Sequence, residues 1–224
     1  TVFSIANEVI PCLEKEAVQL CNNNNFDVQL IEGLEGRLSL YDRKKDEIRQ
    51  INDREIISES TPIYDVFEML TDAEFLLIKE KRKITRIVTK ADLDSIPVRI
   101  WIYGNISLLE VNLRNKIKEL NLDWEVLMSE SRLEKARGLF MLKKKDNIEI
   151  ELLDCLQFID YGTIIKKNFS KFQEYFDCDD SKIEKNFKKL RMVRDSISHS
   201  EKIQSNWKET FELLRFVKYT LEKM

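Results

Sequence analysis

The chain has 224 residues, 37 Lys and Arg against 40 Asp and Glu, and one histidine, His199. At ~100–200 residues per domain this is one or two domains, and a net charge of −3 excludes a protein that coats nucleic acid by bulk positive charge. The lone histidine excludes every multi-histidine metal site. With 5 Gly and 3 Pro there is little for a sandwich, a propeller or a Gly-rich phosphate loop, and 43% hydrophobic residues suffice for a core.

The charge is uneven. Residues 1–95 hold 13 Lys/Arg and 19 Asp/Glu, a net of −6, and residues 96–224 hold 24 and 21, a net of +3. A change of sign between halves points to two domains with different partners. Residues 163–194 concentrate 9 Lys/Arg against 5 Asp/Glu. Cys12, Cys21, Cys155 and Cys178 show no C-x-x-C spacing, so they read as reduced, mostly buried thiols of a cytoplasmic protein. No apolar run approaches a membrane span and no signal peptide is legible. The chain opens at Thr1 rather than Met, as a fragment or a trimmed protein would.

The first half alternates short helices and strands. Glu14 to Asn24 reads as a helix ended by the Asn22–Asn25 run, and Phe26 to Ile31 as a strand. Glu32 to Gly36 reads as a turn, Arg37 to Leu40 as a second strand, and Arg43 to Arg54 as a charged stretch. The pattern returns with a helix over Pro62 to Leu70, Thr61 as its N-cap and Pro62 at N1. A strand over Glu74 to Ile78, a turn over Lys79 to Lys83 and a strand over Ile84 to Thr89 follow. An offset of roughly 50 residues between the copies is an internal repeat. Each copy ends in hydroxyl-x-x-Asp after an apolar strand: Ser39 with Asp42, and Thr89 with Asp92.

This ending, above all Ile84-Thr85-Arg86-Ile87-Val88-Thr89-Lys90-Ala91-Asp92-Leu93, resembles that of the tandem CBS (cystathionine-β-synthase) domain pair, or Bateman module. Arg86 stands where that family usually has Gly. The resemblance implies that Asp42 and Asp92 accept from ribose hydroxyls, while Ser39 and Thr89 meet phosphate beside helix N-terminal amides. The implied ligand is a regulatory adenine nucleotide (AMP, ADP or ATP) or S-adenosylmethionine. The same Ser/Thr-x-x-Asp spacing is also a helix-capping pattern, and capping alone accounts for each copy.

After Pro97 the period turns helical. Val98 to Leu120 reads as a long amphipathic helix carrying Ile100, Trp101, Ile106, Leu109, Val111, Leu113 and Ile117. Trp124 to Lys145 and a buried Ile148 to Ile165 follow. Asp180 to His199 is a fourth helix, with Asp180 or Ser181 as cap and Ile183, Phe187, Leu190 and Val193 on one face, and Gln204 to Lys223 is a fifth. Five helices with short connections make an all-α bundle.

Arg194 and His199 are separated by four residues near the end of the fourth helix, with Asp195 after the Arg. This R-x4-H pattern resembles the HEPN superfamily signature. Ser107 to Ile117, with Glu110 and Arg114 on one face, is similar to that family's first helix, and Leu152 to Ile165 to its middle helices. The fold class implied is α+β: a tandem CBS (βαββα-type) module over 1–95, then an all-α HEPN bundle over 96–224.

The HEPN resemblance implies cleavage of single-stranded RNA without metal or cofactor. The 2′-OH attacks phosphorus and leaves a 2′,3′-cyclic phosphate and a 5′-OH. Such chemistry suits a proton-transfer group near pH 7, which His199 supplies, and a fixed fork of positive charge, which Arg194 supplies. Asp195 would orient a side chain across the site, and Lys185, Lys188, Lys189 and Arg191 would attract phosphates. Five residues on a helix turn ~500°, so Arg194 and His199 lie ~140° apart, and a kinked end or a second copy is needed to aim both at one phosphate. The family builds its site at a dimer interface, which implies a homodimer. It also implies a toxin-like place in stress or phage defence. Glu201 stands where members silenced by AMP transfer carry Tyr. Alternative readings are a non-catalytic module for dimerisation and ligand sensing, and an RNA-binding adaptor that grips phosphate.

Overall fold

The computed structural model describes residues 1–33, 36–203 and 207–224. The chain is mixed α+β and divides into two compact units, Thr1–Val98 and Arg99–Met224. Among the described residues no helix is long and apolar enough to cross a membrane.

The first unit contains β1 (Asn7–Glu8), α1 (Glu14–Asn24), β2 (Val28–Glu32), β3 (Leu38–Asp42), β4 (Glu47–Gln50), β5 (Ile56–Ser58), α2 (Ile63–Asp72), β6 (Phe75–Glu80) and β7 (Lys83–Thr89). They form one sheet of order β1-β7-β6-β5 and another of order β2-β3-β4. β5 runs parallel to β6 and β6 antiparallel to β7, with α2 crossing from β5 to β6. The earlier copy repeats this in outline. Cys12 bridges Ile31 in parallel, α1 follows it, and β2 pairs antiparallel with β3.

The core explains why the alternation in β2 was only partial. Leu30 and Leu40 pack with Leu77 of the other sheet, while Ile31 and Tyr41 face Ala17 and Cys21 of α1. A strand buried on both faces has apolar residues in succession. On α2 the buried set is Ile63, Val66, Phe67 and Leu70, the i, i+3, i+4, i+7 row of an amphipathic helix.

The two copies differ where the first was read as a charged stretch. Arg43 to Arg54 contains β4, an edge strand with Ile48 exposed. Edge strands face water and keep charged side chains, so this one shows no apolar period. The hairpin tip between β6 and β7 is also tighter than expected, reduced to Lys81-Arg82 with Lys81 at φ 55°. Pro62 rather than Thr61 stands at the N-cap of α2. The Thr61 carbonyl instead accepts from the Val2 amide at 2.9 Å.

Helices α3 (Ile96–Glu119), α4 (Glu130–Lys145), α5 (Phe158–Lys167), α6 (Phe169–Phe172), α7 (Asp180–Ser198) and α8 (Trp207–Lys223) make up the rest, and no strand occurs among the described residues beyond Val98. The four-residue α6 was not foreseen. The start of the fifth predicted helix, residues 204–206, lies outside the described residues. On α3 the buried row is Ile102, Ile106, Leu109, Leu113 and Ile117, whereas Ile100 and Val111, expected in the core, are exposed. Ile148, expected to be buried, is also exposed.

The core of this unit is aromatic. Phe158 of α5 stacks on Phe187 of α7 at 5.1 Å, Phe187 meets Phe216 of α8 edge-on at 6.4 Å, and Phe216 stacks on Phe176 at 5.4 Å. Gly162 lets α5 approach α7, because a Cβ there would sit 2.8 Å from Cγ of Phe187. The N-cap of α7 is Asp179, not Asp180 or Ser181, and its carboxylate accepts from the Ser181 amide at 3.1 Å.

Candidate functional site

Arg194 continues the row Ile183, Phe187 and Leu190 on the inward side of α7, and its side chain is 23% exposed. Its Nη1 donates to Oε2 of Glu110 on α3 at 3.0 Å. Its guanidinium carbon lies 5.3 Å from the centre of the Phe158 ring, a cation–π arrangement. The other carboxylate oxygen of Glu110 accepts from Nη2 of Arg114 at 3.1 Å, so one carboxylate bridges two arginines. Nε of Arg114 donates to the Tyr161 hydroxyl at 3.0 Å and lies 3.3 Å from Oδ1 of Asp154. That hydroxyl donates in turn to the Leu153 carbonyl at 3.0 Å.

The electrostatics follow from this packing. Burial pushes the Tyr161 hydroxyl up to about 12, against the opposing pull of Arg114, so it remains a neutral donor. Burial works against the charge on Arg114, but Tyr161, Asp154 and Glu110 together hold its affinity for the proton above the ordinary value.

His199 is the C-cap of α7 and its side chain is exposed. Ser200 follows at φ 57°. The Glu201 amide donates to the Ser196 carbonyl at 2.9 Å and the Ser200 amide to the Ile197 carbonyl at 3.1 Å. This is a Schellman ending, with Ser in the left-handed position that glycine usually fills. Arg194 therefore faces inward and His199 outward at the same helix end, as the ~140° separation requires. The Asp195 carboxylate lies 3.3 Å from Nε of Arg191 and 3.8 Å from Nη2 of Arg194, and so serves the arginines of its own helix.

The expected phosphate-attracting residues divide into two sorts. Lys185 and Lys188 are exposed on α7. Lys189 is ion-paired with Glu209 of α8, and Arg191 with Asp195. Pairing lowers the attraction these two exert on a distant phosphate.

In the first unit the two hydroxyl-x-x-Asp motifs are unlike. Thr89 precedes a 3-10 turn over Lys90–Asp94. Oδ2 of Asp92 accepts from the Thr89 amide at 2.7 Å and hydroxyl at 2.8 Å, and Oδ1 accepts from Nδ2 of Asn7 at 2.8 Å. Ser39 lies within β3, and Oδ1 of Asp42 accepts from the amides of Lys44 at 3.0 Å and Lys45 at 3.3 Å. A hairpin into β4 follows Asp42, so the helix N-terminus expected beside it is not there. A cleft of about 700 Å³ is lined by residues including Glu8, Pro11, Leu38, Arg82 and Arg86, and neither Thr89 nor Asp92 reaches it.

The four cysteines are free thiols, and among the described residues no group of His, Cys, Asp and Glu is placed to hold a metal ion. Comparison of the chain with protein-family models, curated proteins and solved structures gives no match. The spacing of Arg194 and His199 and the shared face of Glu110 and Arg114 were legible in the sequence. Phe158, Tyr161 and Asp154 were not. Their signal was the Leu152 to Ile165 stretch similar to the HEPN family's middle helices, with Asp and Tyr among its apolar residues, and it did not single them out.

Proposed function

We propose that the chain is a homodimeric, metal-independent endoribonuclease of the HEPN type that cleaves single-stranded RNA. Arg194 carries the fixed charge for the phosphorane, and His199 moves protons. The observation that supports this most is the contrast at one helix end. Arg194 is oriented by Glu110 and Phe158, while His199 is exposed on a capped terminus five residues later.

The roles follow from the chemistry. The His199 imidazole accepts the 2′-OH proton as the oxygen attacks phosphorus. The departing 5′ oxygen needs a proton, and the imidazolium so formed returns one to it, so a single His199 serves each site. The guanidinium N–H groups of Arg194 not bound to Glu110 present a planar fork to the equatorial oxygens. Lys185 and Lys188 raise the local concentration of RNA, an effect that salt weakens. Asp195 holds Arg191 and Arg194 on α7.

In this proposal the first unit is a Bateman-type sensor, and an adenine nucleotide or S-adenosylmethionine shifts the enzyme between active and inactive arrangements. The ligand must bind the two arrangements with different affinity. The parallel β5-α2-β6 crossover, the helical turn after Thr89 and the partial earlier copy favour this reading.

A second reading is a non-catalytic dimerisation and ligand-binding module. It is favoured by the ion pair that already engages Arg194 and by the protein donors that already engage Asp92. Labelled single-stranded RNA incubated in EDTA with wild type, Arg194→Ala and His199→Ala separates the two. Cleavage by wild type alone, to 2′,3′-cyclic phosphate ends, supports the enzyme. Intact RNA, with and without adenine nucleotides, supports the binding module, and activity in His199→Ala removes the assignment of that residue.

A further inference from the structure

We infer that Glu110 is the positioning residue for Arg194, an inference that rests on the ribonuclease reading above. Glu110 has two acceptor oxygens and both are engaged, one by Arg194 at 3.0 Å and one by Arg114 at 3.1 Å. Arg114 is itself fixed by the Tyr161 hydroxyl and lies beside Asp154. Tyr161 is anchored to the Leu153 carbonyl and is wholly buried. The chain of contacts therefore runs from the core of α5, through α3, to one edge of the Arg194 guanidinium.

An arginine side chain has several rotatable bonds, and holding its fork in one orientation costs conformational entropy. Here the Glu110 and Phe158 contacts, with the Asp195 carboxylate 3.8 Å from Nη2, supply that order before any RNA arrives. Glu110 fixes one edge, and the Phe158 ring covers one face at 5.3 Å. The remaining donors are left in a fixed direction, which matters for a transition state whose charge lies on equatorial oxygens. The alternative, that Glu110 merely neutralises a buried charge, makes a different forecast. It would not make the rate of the chemical step depend on Glu110 while RNA affinity stays unchanged.

Glutamine is a sharp probe. It has the shape of Glu but one acceptor oxygen and an NH₂ that is a donor. It can accept from one arginine at a time, and its NH₂ opposes the other. Glu110→Gln should lie between wild type and Glu110→Ala.

The test uses the full chain. Single-turnover cleavage and RNA affinity are measured for wild type, Glu110→Ala and Glu110→Gln, with near-ultraviolet circular dichroism as the check on folding. Independently, the ¹⁵N heteronuclear NOE of the Arg194 Nε–H group, assigned by its loss in Arg194→Lys, reports the order of the guanidinium without any RNA. The expected result is a cleavage rate lower by about 10- to 100-fold in Glu110→Ala, an affinity for RNA within about threefold of wild type, and an Nε–H that is rigid in wild type and mobile in the variant. An unchanged rate, or a loss confined to affinity, overturns the inference. If wild type does not cleave RNA, the ribonuclease reading falls, and the NOE decides on the positioning role alone. Equal order of Arg194 in wild type and both Glu110 variants then rejects it. If Glu110→Ala does not fold, the isosteric Glu110→Gln carries both measurements.

Discussion

Ser200 shows how one residue shapes the end of α7. It holds φ 57°, a conformation that costs an L residue roughly 1 kcal/mol and glycine almost nothing. Ser200→Gly should therefore raise the stability of the second unit by about 0.5–1 kcal/mol. Trp101, Trp124 and Trp207 all lie in that unit, so a urea melt followed by tryptophan fluorescence reads it selectively. A loss of stability would mean that the Ser200 side chain contributes a contact of its own. The residue scale also marks a limit of sequence reading. Arg194 and His199 were legible because helical spacing fixes their relation. Glu110, the partner of Arg194, is 84 positions away in the chain, and no local period connects the two.

Among the elements, the α5–α7 pair holds the candidate site around Arg194. Phe158 both stacks on Phe187 and lies under Arg194, so the separation of the two helices sets the height of the guanidinium. Gly162 sets that separation. Gly162→Ala gains ~1 kcal/mol of helix propensity but inserts a methyl group 2.8 Å from Cγ of Phe187. Overpacking of this kind costs about 1–3 kcal/mol, so the variant should be net destabilised in the same fluorescence melt and should cleave RNA more slowly. Unchanged stability would show that Phe187 has room to move. Most long elements were readable because a core face imposes a period, as on α2 and α7. The edge strand β4 and the four-residue α6 were not. An edge strand needs no apolar alternation, and one helical turn is too short to show a repeat.

At the scale of the molecule, the near-neutral total charge averages an acidic first unit and a mildly basic second one. The sensor reading for the first unit is tested by calorimetry of AMP, ADP, ATP and S-adenosylmethionine against wild type and Asp92→Ala. The expected outcome is a measurable heat with at least one ligand, reduced in a variant that circular dichroism shows to be folded. No heat with any ligand would leave Thr89 and Asp92 as a helix cap, the role that their hydrogen bonds already fill. The central claim, a cleavage site shared between two copies, is tested most directly by mixing. Arg194 and His199 point away from each other on one helix, so in the proposed dimer Arg194 of one copy meets His199 of the other. Arg194→Ala and His199→Ala proteins should each be inactive in EDTA. Unfolded and refolded together in equal amounts, they should recover roughly a quarter of wild-type cleavage, because half the dimers are mixed and each has one intact pair. Wild type that leaves RNA uncut, or a mixture as inactive as its parts, would contradict it.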